Sequence, residues 1–147
     1  MKVERPEMKN SPICVDASLV VTLLVQSDSP VQMHWQEWVK DQQTLICPAL
    51  LPFEVVNALH QYWRHNYLSA DIVQDLLKVF HSLPIHVQTH PQLHERAALL
   101  SRQANVAATY DAHYVALAQL CGGELWTLDT RLHRCFAALT PIVYLAV

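Results

Sequence analysis

Four acidic residues stand where a folded chain can bring their side chains together. Asp16 follows the apolar run Ile13-Cys14-Val15, and Asp129 follows the run 125–128. Asp111 opens a helical segment after a polar turn, and Glu54 falls in the first turn of an amphipathic one. Two carboxylates ~5 Å apart repel by roughly 3 kcal/mol at an effective dielectric of about 20. A cluster of four therefore takes up protons or binds a cation. Oxygen-only ligands suit Mg²⁺ or Mn²⁺ better than zinc. Such ions serve phosphodiester chemistry: they hold the scissile phosphate, activate water and stabilise the departing oxygen. Each acid also fits an ordinary role. Asp16 reads equally as a turn residue, Asp111 and Asp129 as helix caps, and Glu54 as a favourable first-turn charge. The residue types alone leave both readings open.

The elements around them decide whether the acids can meet. Short apolar runs at 13–15, 44–47, 85–87, 125–128 and 142–145 read as strands, separated by helical segments. Ser18 is expected to cap a short helix over 19–26. Ser29-Pro30 starts one that reaches about Lys40. A helix over 52–65 ends at Asn66, a residue suited to a left-handed conformation. Ser69 caps the next, and His90-Pro91 opens another. The helix after Thr109 ends at Gly122-Gly123, both read as serving a turn with positive φ. A final helix covers 132–139. This alternation predicts a three-layer α/β/α sandwich with a central, mainly parallel five-stranded sheet. In such sheets ligands bind outside the carboxyl ends of the strands, where Asp16 and Asp129 fall.

With 147 residues, 52% of them hydrophobic, the chain suffices for one well-filled domain. Residues 1–12 read as an N-terminal extension and 13–147 as the domain. Ten basic residues against 13 acidic ones give a net charge of −3, so charge alone does not grip nucleic acid. No apolar run approaches the ~18 to 20 residues of a membrane span, and the polar start lacks a secretory signal. A soluble, cytoplasmic protein with no membrane partner is expected. Cys14, Cys47, Cys121 and Cys135 form no C-x-x-C pair and read as free thiols of a reducing compartment.

His90 and His94 are four apart, but no third ligand follows at a zinc-site spacing. His113 diverges from Asp111 around a helix and reads as a surface or packing residue. Arg131 and Arg134 are candidates for phosphate contact or for a solvated face. Trp35, Trp38, Tyr62 and Trp63 read as core or interface, with the Trp63 helix a candidate dimer contact. Two other Mg²⁺ proteins fit poorly. A receiver domain wants a lysine after its last strand, and none follows Lys78. A haloacid-type phosphatase wants an Asp two residues after Asp16, where Ser18 stands.

The residues flanking the acids add a family. Cys14-Val15-Asp16-Ala17-Ser18 resembles the first motif of PIN domains, and Glu54-Val55-Val56-Asn57-Ala58-Leu59 the second. The run from Tyr110-Asp111-Ala112-His113-Tyr114 to Ala118 is similar to the third, and Thr127-Leu128-Asp129-Thr130-Arg131-Leu132 to the fourth. Their order and spacing match over 13–147, and the small size resembles the VapC-type toxins of toxin–antitoxin pairs. The resemblance implies a Mg²⁺- or Mn²⁺-dependent endoribonuclease acting on RNA. It also implies a homodimer and an antitoxin that inserts a basic residue into the acidic cleft. Asp16, Glu54, Asp111 and Asp129 would be the metal-binding acids. Thr127 would orient water or a ligand, and Asn57 would supply a supporting hydrogen bond. The alternative is a non-catalytic PIN-like module that acts through protein partners.

Overall fold

A computed structural model describes residues 11–146. The first ten residues of the expected N-terminal extension, and Val147, lie outside the described residues. Among the described residues, five strands form one sheet, all parallel: β1 (Ile13–Val15), β2 (Leu45–Cys47), β3 (Ile85–Val87), β4 (Glu124–Thr127) and β5 (Ile142–Tyr144). Their order is β3-β2-β1-β4-β5. The chain starts at the centre, builds outward through β2 and β3, then crosses back to add β4 and β5. The direction of winding reverses between β1 and β4, the position where open α/β sheets hold their ligands.

Among the described residues, seven helices cover the sheet. The four that precede β3, α1 (Ala17–Val25), α2 (Pro30–Lys40), α3 (Leu50–Arg64) and α4 (Ala70–Ser82), pack on one another. The remaining three, α5 (Leu93–Ala104), α6 (Tyr110–Leu120) and α7 (Thr130–Phe136), form a second group. Strands buried between two helical layers must be apolar along their length. Cys14, Val15, Leu45, Ile46, Cys47 and Leu125 accordingly all lie in the core. Trp35 and Trp38 join it, whereas Trp63 remains exposed.

Several local expectations need correction. Ser18 does not cap α1; Asp16 does, its side chain accepting the Leu19 N–H, so the helix starts two residues earlier. Ser29 precedes α2 without a capping bond from its hydroxyl, which has no partner among the described residues; Pro30 alone marks that start. α3 begins at Leu50 because its first turn tolerates Pro52. α5 begins at Leu93, past the turn that follows His90-Pro91. α7 covers Thr130–Phe136, earlier than the expected 132–139, because Asp129 caps it and fixes its start. Of the two glycines only Gly122 has positive φ, at 69°. Gly123 serves close approach instead: a Cβ there would lie 2.0 Å from the Pro12 carbonyl oxygen.

Candidate active site

The ends of β1 and β4 are laced together by side chains. Asp16 leaves β1 and is buried, with 4% of its surface exposed. Its Oδ1 accepts from Ser18 Oγ at 2.6 Å and from the Leu19 N–H at 3.1 Å. Its Oδ2 accepts from Thr127 Oγ1, the last residue of β4, at 2.5 Å. Thr127 Oγ1 in turn accepts the Asp129 N–H at 2.9 Å, and Ser18 Oγ accepts the Leu128 N–H at 3.0 Å. The hydroxyls of Ser18 and Thr127 thus hold the two strand exits in one register. Asp129 Oδ1 caps α7, accepting the N–H groups of Arg131 and Leu132 at 2.9 and 3.1 Å. For Asp16 and Asp129 the capping role therefore holds alongside any role in chemistry.

Glu54 and Asp111 come from the two helical layers. Because α3 starts at Leu50, Glu54 sits beyond the first turn, where the macrodipole has largely faded. It is held by Tyr114 of α6, whose hydroxyl donates to Oε1 at 2.5 Å. Asp111 lies in the first turn of α6 and caps nothing. Among the described residues, its carboxylate takes part in no hydrogen bond. With Glu54, Leu50, Tyr110 and Arg131 it lines a cleft of about 440 Å³. Asp16 and Asp129 are not among the walls of that cleft; Asp129 acts on both Glu54 and Asp111, and Asp16 is linked to them only through Asp129.

The charge of Asp129 acts on each of the other three acids. Burial raises the Asp16 carboxyl from 3.8 to about 6; the hydrogen bonds from Ser18, Thr127 and Leu19 oppose the rise, and the charge of Asp129 adds to it. Burial also raises Glu54, against the Tyr114 bond, with Asp111 and Asp129 adding. Asp111 is raised by burial and by Asp129, while Arg131 pulls it down. Raised carboxylates around one charged neighbour mark a candidate functional site.

The donor set fits a hydrated hard cation. Glu54 Oε2, Asp129 Oδ2 and both oxygens of Asp111 carry no hydrogen bond among the described residues, so their lone pairs are free to bind. Among the described residues no three His, Cys, Asp or Glu side chains form a group that could hold one ion as they lie. Mg²⁺ normally takes one or two carboxylates and keeps several waters, so a closed cage is not required.

The other candidates divide. Arg131 lines the cleft and acts on Asp111; Arg134 does neither. Asn57 is exposed on α3 and hydrogen-bonds none of the acids among the described residues, so it lacks the supporting bond expected of it. His113 faces away from the acids, toward His94 and Thr109. Tyr114 and Ser18 were missed as partners of the acids. The signal for Tyr114 was its position three residues after Asp111, on the same helical face.

Residues 13–136 match the PIN domain. The chain is 34% identical over 134 residues to a protein named Ribonuclease VapC3 from Pyrobaculum aerophilum, covering 88% of this chain and 98% of that one. It is similar to the crystal structure of PAE2754 from Pyrobaculum aerophilum, with a TM-score of 0.60, 23% identity, and 87% and 86% of the two chains covered. It is also similar to VapBC2 from Rickettsia felis, solved bound to a DNA fragment from their promoter. There the TM-score is 0.66 at 12% identity, with 91% and 98% covered. At these identities the two structures bear on the fold alone.

Proposed function

The chain belongs to the PIN domain family, and on that premise we propose that it is a metal-dependent endoribonuclease, the toxin of a toxin–antitoxin pair. Residues 13–147 would form the nuclease domain and 1–12 an extension. What supports the reading is the charge of Asp129, which acts on Asp16, Glu54 and Asp111, from three other parts of the chain, beside the β1–β4 reversal. The name of the Pyrobaculum aerophilum relative supports RNA as the substrate.

Asp16, Glu54, Asp111 and Asp129 would hold Mg²⁺ or Mn²⁺. Such an ion would supply charge neutralisation at the scissile phosphate and activation of a water. Thr127 and Ser18 fix the Asp16 carboxylate, so that it need not reorganise when charge develops. Tyr114 fixes Glu54 in the same way. Arg131 stands at the cleft wall, where its guanidinium can take a phosphate oxygen.

The acidic cleft also suits an inserted basic side chain, which would compete with the metal. We assign that role to an antitoxin partner, the kind of partner that the resemblance to VapC-type toxins implies. A homodimer would use the exposed face around Trp63. Four unpaired cysteines suit a reducing cytoplasm. No helix among the described residues is long and apolar enough to cross a membrane.

The test is cleavage of total RNA by the purified chain with Mn²⁺ or Mg²⁺, with EDTA, and with Asp16→Asn or Asp111→Asn. Cleavage only with the ion and only by the unsubstituted chain is expected. Undiminished cleavage in EDTA would sink the reading. A folded chain that neither binds Mn²⁺ calorimetrically nor cuts any RNA would instead be the non-catalytic binding module.

A further inference from the structure

A second hollow adjoins the acidic cleft and has no part in holding metal. Its volume is about 420 Å³, and its walls include Phe53, Val87, His94, Tyr110 and His113. It shares Leu50 and Tyr110 with the acidic cleft, so the two lie side by side. Two sequence neighbours explain how they differ. Phe53 directly precedes Glu54 on α3, and Tyr110 directly precedes Asp111 on α6. Adjacent helical residues diverge by about 100°. On α3 Glu54 thus faces one hollow and Phe53 the other, while on α6 Asp111 faces the acidic cleft and Tyr110 borders both. Both rings are left in water, Phe53 at 75% exposure and Tyr110 at 66%.

The polar groups of this hollow are ordered. His113 Nδ1 lies 2.7 Å from the Thr109 carbonyl oxygen, which can only accept, so that nitrogen carries the hydrogen. In the neutral ring His113 Nε2 is then an acceptor, and it stands 2.9 Å from His94 Nδ1, which donates to it. The chain of bonds leaves His94 Nε2 as a lone pair with no partner among the described residues. Rings with free faces beside a fixed acceptor match a nucleobase: a flat π-system to stack, with an N–H donor on its edge.

We propose that this hollow is a nucleobase subsite, which stacks a base of the substrate RNA on Tyr110 and Phe53 and reads its N–H edge with His94. The proposal rests on the nuclease reading, because it deepens what the adjoining cleft does. It also answers a difficulty of charge. The net charge is −3, and Arg131 is the one arginine or lysine among the described residues that line the two hollows. Affinity for a polyanion must then come from contacts other than ion pairs. Stacking supplies them: a stacked base is worth roughly 5- to 150-fold in affinity.

The test uses short single-stranded RNAs carrying 2-aminopurine, whose fluorescence falls on stacking, with the full chain in EDTA so that nothing is cut. Binding with quenching is expected for the unsubstituted chain. Tyr110→Ala and Phe53→Ala should each weaken binding about tenfold and relieve the quenching, while Tyr110→Phe retains both. His94→Ala should flatten the differences in affinity among A, C, G and U oligonucleotides. In Mn²⁺, the alanine variants should raise KM more than they lower kcat. All three positions are exposed, so folding is expected to survive. Wild-type affinity and quenching in both alanine variants overturn the proposal, as does an unquenched parent. So does a loss of self-association or of antitoxin binding with RNA affinity unchanged, which would make the hollow a protein-docking surface. A chain that cuts RNA but fails these tests lacks the subsite alone. A chain that binds with quenching but cuts nothing loses the nuclease reading alone.

Discussion

Tyr114 donates its phenolic hydrogen to Glu54 Oε1 at 2.5 Å, joining α6 to α3 across 60 residues of sequence. Tyr114 is only 1% exposed, so its hydroxyl needs this partner; burial and the adjacent Glu54 charge hold the phenol far above its ordinary pKa. Tyr114→Phe keeps the ring and deletes the bond. Partners that orient a metal-binding side chain typically contribute 10- to 100-fold in metal affinity or activity. A fall in Mn²⁺ affinity of about that size is expected in a calorimetric titration, with an unchanged circular-dichroism spectrum. Unchanged Mn²⁺ affinity would show that Glu54 needs no such support.

Thr127 is expected to be less replaceable than its size suggests. It is wholly buried, donates to Asp16 and accepts from the Asp129 backbone. Thr127→Val leaves both partners unsatisfied, at roughly 1 to 3 kcal/mol for a buried group. Thr127→Ser restores the hydroxyl and should recover most of the loss. Urea midpoints of the three proteins, compared at one pH, measure this directly.

Metal-free protein should lose stability as pH rises. The folded-state pKa of Asp16, about 6, lies above its ordinary value of 3.8, and burial is the main cause. The folded state therefore holds the proton more tightly than the unfolded chain does. Its stabilising effect is complete below 3.8 and is lost as pH climbs through 6. The difference is on the order of 3 kcal/mol. Urea denaturation in EDTA across this window should show the decline, and Mn²⁺ should reverse it at neutral pH. Asp16→Asn should flatten the slope; an equally steep decline in that variant would assign it to other groups.

Gly123→Ala should destabilise the fold without touching the chemistry. The added methyl meets the Pro12 backbone rather than a movable side chain. Overpacking of this kind costs roughly 1 to 3 kcal/mol. Gly122→Ala, at φ 69°, has open space around it and suffers only the backbone penalty. A lower melting temperature for the Gly123 variant than for the Gly122 variant is the expected ranking.

The strands and the acids were legible in the sequence, and the bonds between them were not. Runs such as Ile13-Cys14-Val15 read as strands because a sheet covered on both faces tolerates little else. Asp16, Asp111 and Asp129 stood out because each follows such a run or opens a helix. Helix starts were less clear. Pro52 reads as a first residue, yet α3 begins before it, and this moved Glu54 out of the first turn. Asp16 and Ser18 are both good caps, and only the placement of β4 decides that Ser18 turns its hydroxyl toward Asp16 and Leu128. Left-handed Asn66 was foreseen from a helix end, whereas Gln42 and Asn105 adopt the same conformation unannounced. Tyr114 reads as one more core residue of α6 because nothing nearby in sequence marks its partner.

The bond between Asp16 and Thr127 spans 111 residues, and this has a kinetic meaning. Parallel pairing of distant segments is slow, because the chain must close a long loop before any contact rewards it. β1 cannot meet β4 until nearly all the intervening helices have been made, and Asp129 arrives only after β4. A nascent chain that ends before β4 has neither Thr127 nor Asp129, and so cannot make the bonds that lace the two strand exits together. On the nuclease reading proposed above, the site is complete only after β4 has joined β1.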